Sequence, residues 1–189
     1  MPHPEPTHYD APSRYVHWIT AVVVTIAFVL GPEHFGRLVR NGVDPATRSD
    51  IVWHESLGVL VFVLTAARLL WLALRPAPPH FAMAAWMAFA AKLVNVVLWV
   101  LLLLLPITAI LALGGEGHAL TLLGGLRIDR MPAIADSAVA KLADWGDVHG
   151  FLGDALMWLA GLHAGAAIVH QVVLKDGVLA SMLPPRKIG

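Results

Sequence analysis

Five histidines lie in or beside the apolar stretches of this sequence: His17, His54, His149, His163 and His170. An ionisable side chain inside lipid is costly, so each is first a functional hypothesis. Imidazole can ligate a metal, carry a proton or settle as a hydrogen-bonded core group. Spacing separates these uses. His149 and His163 are fourteen residues apart. On a helix that is about 21 Å of rise and a return to within about 40° of the starting direction. They face one interior at two depths. In an up-and-down arrangement of four spans, His54 shares the depth of His149, and His17 that of His163. Two pairs result, each drawn from two helices. Neutral imidazoles on opposite sides of a flat ring suit a low-spin haem iron, and bundle side chains can supply them. One such histidine alone reads as an ordinary core residue; four matched in depth and direction do not.

The arginines fit the same geometry. Arg68 follows His54 by fourteen residues, and Arg14 precedes His17 by three. Both are placed to neutralise haem propionates on the side that carries the termini, although Arg68 is equally placed to snorkel from a helix end. His170, seven residues after His163, could meet a propionate, a quinone or interfacial water. Gly58, Gly150, Gly153, Gly161 and Gly165 would let a porphyrin approach the backbone. His3, His8, His34, His80 and His118 fall in tails or loops and read as solvated. Trp18, Trp53, Trp71, Trp86 and Trp145 mark span ends as an aromatic belt does.

The elements that must position these residues are legible in the composition. The 189 residues are 58% hydrophobic and 14% charged, with mean hydropathy +0.70. So few polar residues cannot cover a water-facing surface, which makes lipid the expected solvent. The net charge of zero argues against nucleic acid as a partner. Without cysteine there is no disulfide, iron–sulfur cluster or thioether-linked haem, so any haem is held non-covalently. Four segments reach the length of about 20 residues that a hydrocarbon core requires. They are Tyr15 to Gly31, Ile51 to Leu74, Ala84 to Leu113 and Val148 to Val173, and Pro106 is expected to kink the third. Ala135 to Trp145 reads as a short interfacial helix. The proline-rich, acidic start has no signal-peptide pattern, so the first apolar run reads as a retained span. The expected fold is all-α: an integral membrane four-helix bundle over residues 1–189, one domain, with haems held between helices. Seven basic residues fall on the side of the termini and six on the other, which decides no orientation.

With these residues laid out, the chain resembles the bacterial cytochrome b561 family from about Ser13 to Lys187. The resemblance rests on Ser13-Arg14-Tyr15-Val16-His17-Trp18, Trp53-His54-Glu55, Arg68-Leu69-Leu70 with Pro76 to Pro79, and Leu105-Pro106-Ile107. It continues through Gly161-Leu162-His163-Ala164, His170, Lys175-Asp176-Gly177 and Met182-Leu183-Pro184-Pro185-Arg186-Lys187. It implies four transmembrane helices in the bacterial inner membrane, cytoplasmic termini and two bis-histidine haems b. Its ligands carry over by position to His54 and His149 on the outer side, and to His17 and His163 on the cytoplasmic side. Val148 and Gly150 flank His149 where a Trp-His-Glu run is common in the family.

The resemblance also implies candidate reactions. One family member is a superoxide oxidase that delivers electrons to ubiquinone. Here Arg37, Arg40, Arg48, Arg127, Arg130 and Lys141 could form an outer patch attracting superoxide, while Asp129, Asp144 and Asp147 could cancel it. Related cytochromes instead anchor hydrogenases or formate dehydrogenases, where a partner oxidoreductase subunit supplies electrons. A third reading, a haem-free metal or proton transporter, would want ligands clustered with carboxylates near mid-membrane. The histidines here form two distant pairs, and the acids lie mostly outside the spans.

Overall fold

The computed structural model describes residues 7–32, 38, 41–75, 78–129 and 132–185. Four helices are long and apolar enough to cross a membrane. The first, α1, spans Ala11–Leu30. Asp10 caps it by accepting the Ser13 N–H at 2.9 Å and the Ser13 hydroxyl at 2.7 Å, and Pro12 suits its first turn. The second, α2, spans Ser49–Leu74 and stops at Arg75, ahead of a proline. The third, α3, runs 32 residues over Ala85–Glu116, about 48 Å of rise and longer than the hydrocarbon layer. Pro106 lies inside α3 without ending it, and left-handed Gly117 closes it at φ 74°. The fourth, α4, spans Trp145–Val169, with Asp144 accepting the Asp147 N–H at its start.

Packing divides the bundle in two. α1 lies mainly on α2, and α3 mainly on α4, while the seam between α1 and α4 is thin. Few side chains are buried, and several of these are hydroxyl residues: Thr20, Thr65 and Thr108. Large apolar groups point outward instead, with Val29 74%, Leu74 77% and Trp158 78% exposed. Such a surface suits a lipid environment rather than water.

The connections differ from expectation in two places. The chain after α3 forms a small antiparallel hairpin, Leu120–Thr121 with Arg127–Ile128. Gly124 and Gly125 turn it with φ 82° and 78°, a conformation that favours glycine. The short helix expected over Ala135 to Trp145 is instead one turn at Pro132–Ala135, and residues 136–143 are turns. Ser137 accounts for the early stop: its hydroxyl donates back to the Ile134 carbonyl and accepts the Ala140 N–H, bending the chain.

The chain ends meet on one side. Tyr9 N–H donates to Ser181 O at 3.1 Å, and the Trp18 indole donates to Met182 O at 2.9 Å. The Trp71 indole donates to Asp10 at 2.7 Å. Tryptophans at span ends thus use their one donor while the ring stays in the apolar layer.

Candidate functional site

The four histidines of the spans meet in two pairs drawn from three helices. His54, near the start of α2, faces His149, near the start of α4, with ring centroids 6.0 Å apart and planes at 84°. His17 of α1 faces His163 of α4 at 6.3 Å and 69°. An atom bound on each side by an imidazole–metal bond of about 2 Å holds two ring centroids about 6.3 Å apart. Both separations match that requirement. An edge-to-face ring contact covers the same range, so the ring nitrogens carry the distinction.

His54 Nδ1 lies 2.7 Å from the Ala27 carbonyl oxygen, and His149 Nδ1 lies 3.0 Å from that of Leu105. A carbonyl only accepts, so both Nδ1 atoms carry the proton. Nε2 is left with its lone pair, the form a metal binds. Thr108 adds a hydroxyl 3.2 Å from His149 Nδ1. The five glycines expected to admit a porphyrin face open space. A Cβ placed on Gly58, Gly150, Gly153, Gly161 or Gly165 would meet nothing within 4 Å. Among the described residues, no group of three or more His, Cys, Asp or Glu side chains gathers as a bare metal ion would need.

The outlying candidates are placed differently. Arg68 lies over the Trp99 ring, 4.9 Å from its centroid, and its charge acts on both His17 and His163. Arg14 donates through Nη1 to the Leu183 carbonyl at 2.6 Å, while its Nε is buried without a partner. His170 opens a π-helical turn, His170–Leu174, that ends at left-handed Lys175, φ 52°. That turn aims Nδ1 at Asp176, 2.5 Å away. Desolvation works against the Asp176 carboxylate, but the hydrogen bonds from His170 and the Val178 N–H outweigh it and lower its pKa.

The basic residues expected to form a cationic patch are partly neutralised. Arg48 is paired with Asp50 at 2.5 Å and Arg127 with Asp129 at 2.7 Å. Lys141 is exposed, and Arg37, Arg40 and Arg130 lie outside the described residues.

Four residues of the site and its supports carry roles that the sequence alone does not assign: Glu55, Ser56, Thr108 and Asp154. Glu55, beside His54, is 8% exposed and accepts the Thr121 N–H at 2.6 Å. The next residue, Ser56, accepts the Leu123 N–H at 2.9 Å. Together they fasten the hairpin to the start of α2. An acid inside an apolar span was the available signal. Thr108 gave none, since its role depends on which helix faces α3. The fourth is Asp154, the one acid between His149 and His163.

Comparison with known proteins agrees with this architecture. Residues 8–185 match the family model described as prokaryotic cytochrome b561. Cytochrome b561 homolog 1 of Escherichia coli is 28% identical over 183 residues, covering 92% of this chain and 95% of that protein. A Yersinia pestis protein named probable superoxide oxidase is 30% identical over 178 residues, covering 91% and 93%. Cytochrome b562 of Cereibacter sphaeroides is 28% identical over 179 residues, covering 90% and 92%.

Proposed function

The chain belongs to the prokaryotic cytochrome b561 family, whose members bind haem b, and on that basis we propose that it carries electrons across the membrane through two bis-histidine haems b. The observation that carries this reading is the matched spacing of the pairs His54–His149 and His17–His163, 6.0 and 6.3 Å. Bound haem supplies reversible one-electron iron chemistry. The protein's own residues supply position. The Ala27 and Leu105 carbonyls fix the rings of His54 and His149. The lipid-facing helices keep water from the interior. Arg14, with an orphaned Nε, and Arg68 provide cationic partners for propionates on the side of the termini. We take that side as cytoplasmic and the membrane as the bacterial inner membrane.

The electron partners follow from one-electron chemistry at one end and two-electron chemistry at the other. Superoxide on the outer side gives one electron and leaves as dioxygen. Two such events, with two protons from the cytoplasmic side, convert ubiquinone to ubiquinol. His170, held by Asp176 at the His163 end, is the group placed to exchange those protons. The similarity to a probable superoxide oxidase supports this reading, and the pairing of Arg48 and Arg127 with acids limits the electrostatic attraction available to it.

The test is reduction of the purified protein in nanodiscs by a steady superoxide source, with and without decylubiquinone. Haem reduction by superoxide, reversed by added quinone, is expected. Haem that superoxide leaves oxidised, but quinol reduces, would remove superoxide as donor and retain the electron carrier.

A further inference from the structure

The thin seam between α1 and α4 holds a cavity of about 360 Å³, lined by Phe28, Asp154, Met157, Trp158 and Gly161. Its lining on α4 faces away from the His149 direction. Asp154 and Trp158 stand about 140° and 180° round α4 from His149, on the outer flank of the helix. Along α4, Asp154 is about 7.5 Å from His149 and about 13.5 Å from His163. The cavity therefore lies between the two histidine levels, inside the membrane and open towards lipid.

Asp154 is exposed there and makes no hydrogen bond or ion pair among the described residues. A carboxyl group at this depth is expensive without a partner. The walls are an aromatic ring from each helix and a thioether, and Gly161 leaves the floor clear, with nothing near its missing Cβ. A small apolar cleft with one hydrogen-bonding group is built for a compact ring with a polar edge. From Asp154 to Gly161 the lining runs about 10 Å along α4. That matches a ring, whereas a spanning helix of a partner would need about 30 Å.

We propose that this groove is a lateral, lipid-accessible binding site for a quinone or quinol ring, with Asp154 as its hydrogen-bonding group. Phe28 and Trp158 supply the aromatic walls against which the ring packs. The Asp154 carboxylate accepts a quinol hydroxyl, or, when protonated, donates to a quinone carbonyl. The isoprenoid tail leaves directly into lipid. The site rests on the quinone reading above but is separate from the His170 end of the bundle.

The test uses the haem-loaded protein in phosphatidylcholine nanodiscs and a photoreactive azido-quinone, with adducts mapped by mass spectrometry. Labelling is expected on Phe28, Met157 or Trp158 and should be displaced by excess decylubiquinone. D154N, which keeps a hydrogen-bonding edge, should retain most of it. D154L should weaken half-saturation roughly ten- to hundred-fold, and G161L should block labelling by filling the groove. Adducts confined to the His170 end, or adducts indifferent to both D154L and G161L, overturn the site. So does a cross-link from position 158 to a second polypeptide that excess quinone leaves undiminished. Haem content is measured alongside. A haem-free wild type refutes the electron-transfer reading, whereas labelling elsewhere on a di-haem protein refutes this site alone.

Discussion

Replacing His54 by alanine should remove half of the bound haem and leave the other half untouched. His54 pairs with His149, and His17 with His163. The pairs are separated by about 21 Å along α4. Sites that far apart without shared partners respond independently. His54 also donates to the Ala27 carbonyl, and losing that bond costs about 1 kcal/mol, too little to unfold a bundle held chiefly by α1–α2 and α3–α4 packing. The logic extends to double variants. H54A/H149A should lose no more haem than H54A, because both changes empty one site. H54A/H17A should lose all of it. The assay is pyridine haemochrome content per chain, with circular dichroism as the control for helix content. If H54A/H149A lost all haem with its helices intact, or H54A/H17A kept half, the pairing would be refuted.

Other predictions test the supports of the site. E55A should free the hairpin, since the hydrogen bond that the Thr121 N–H donates to the buried carboxyl is lost. Amide exchange over residues 120–128 should accelerate, with a cost of about 2 kcal/mol; unchanged exchange would show that the hairpin is held by other contacts. T108V removes the hydroxyl beside His149 Nδ1 but leaves the Leu105 carbonyl. It should shift the midpoint potential of one haem only and leave haem content unchanged; a shift in both potentials would count against the assigned depth. D10A should destabilise the bundle by about 1 kcal/mol through loss of the α1 cap. Desolvation pushes the Asp10 pKa up, but hydrogen bonds from Ser13 and the Trp71 indole prevail and lower it. A lowered carboxyl pKa stabilises the fold at neutral pH, and that stability is lost as pH falls through the folded value. The difference between wild type and D10A in thermal melts should therefore shrink below about pH 4 and be constant above it.

The long elements were legible because lipid imposes a coarse rule. Runs of apolar residues located all four helices, with ends within a few residues: Tyr15 to Gly31 against Ala11–Leu30, and Ile51 to Leu74 against Ser49–Leu74. The differences lie in the caps, where Asp10 and Arg48 precede polar first turns that a hydropathy reading leaves out. The histidine pairs were legible for a related reason, since helical rise and rotation fix depth and direction without knowledge of packing. What depends on the loops was not. The Leu120–Ile128 hairpin has strands of two residues each, too short for an alternating pattern to register, and its anchor Glu55 is 66 positions away from Thr121 in sequence. Asp154 matches no histidine pair, and its neighbours across the α1–α4 seam are set by tertiary packing alone.

The central claim is tested most directly by the haem content and spectrum of the purified protein. Pyridine haemochrome analysis with a dithionite-reduced minus oxidised spectrum in mild detergent should give about two haems b per chain with low-spin, six-coordinate bands. A well-folded, haem-supplied preparation that binds no haem, or binds it in a high-spin form with an open coordination position, would contradict the account.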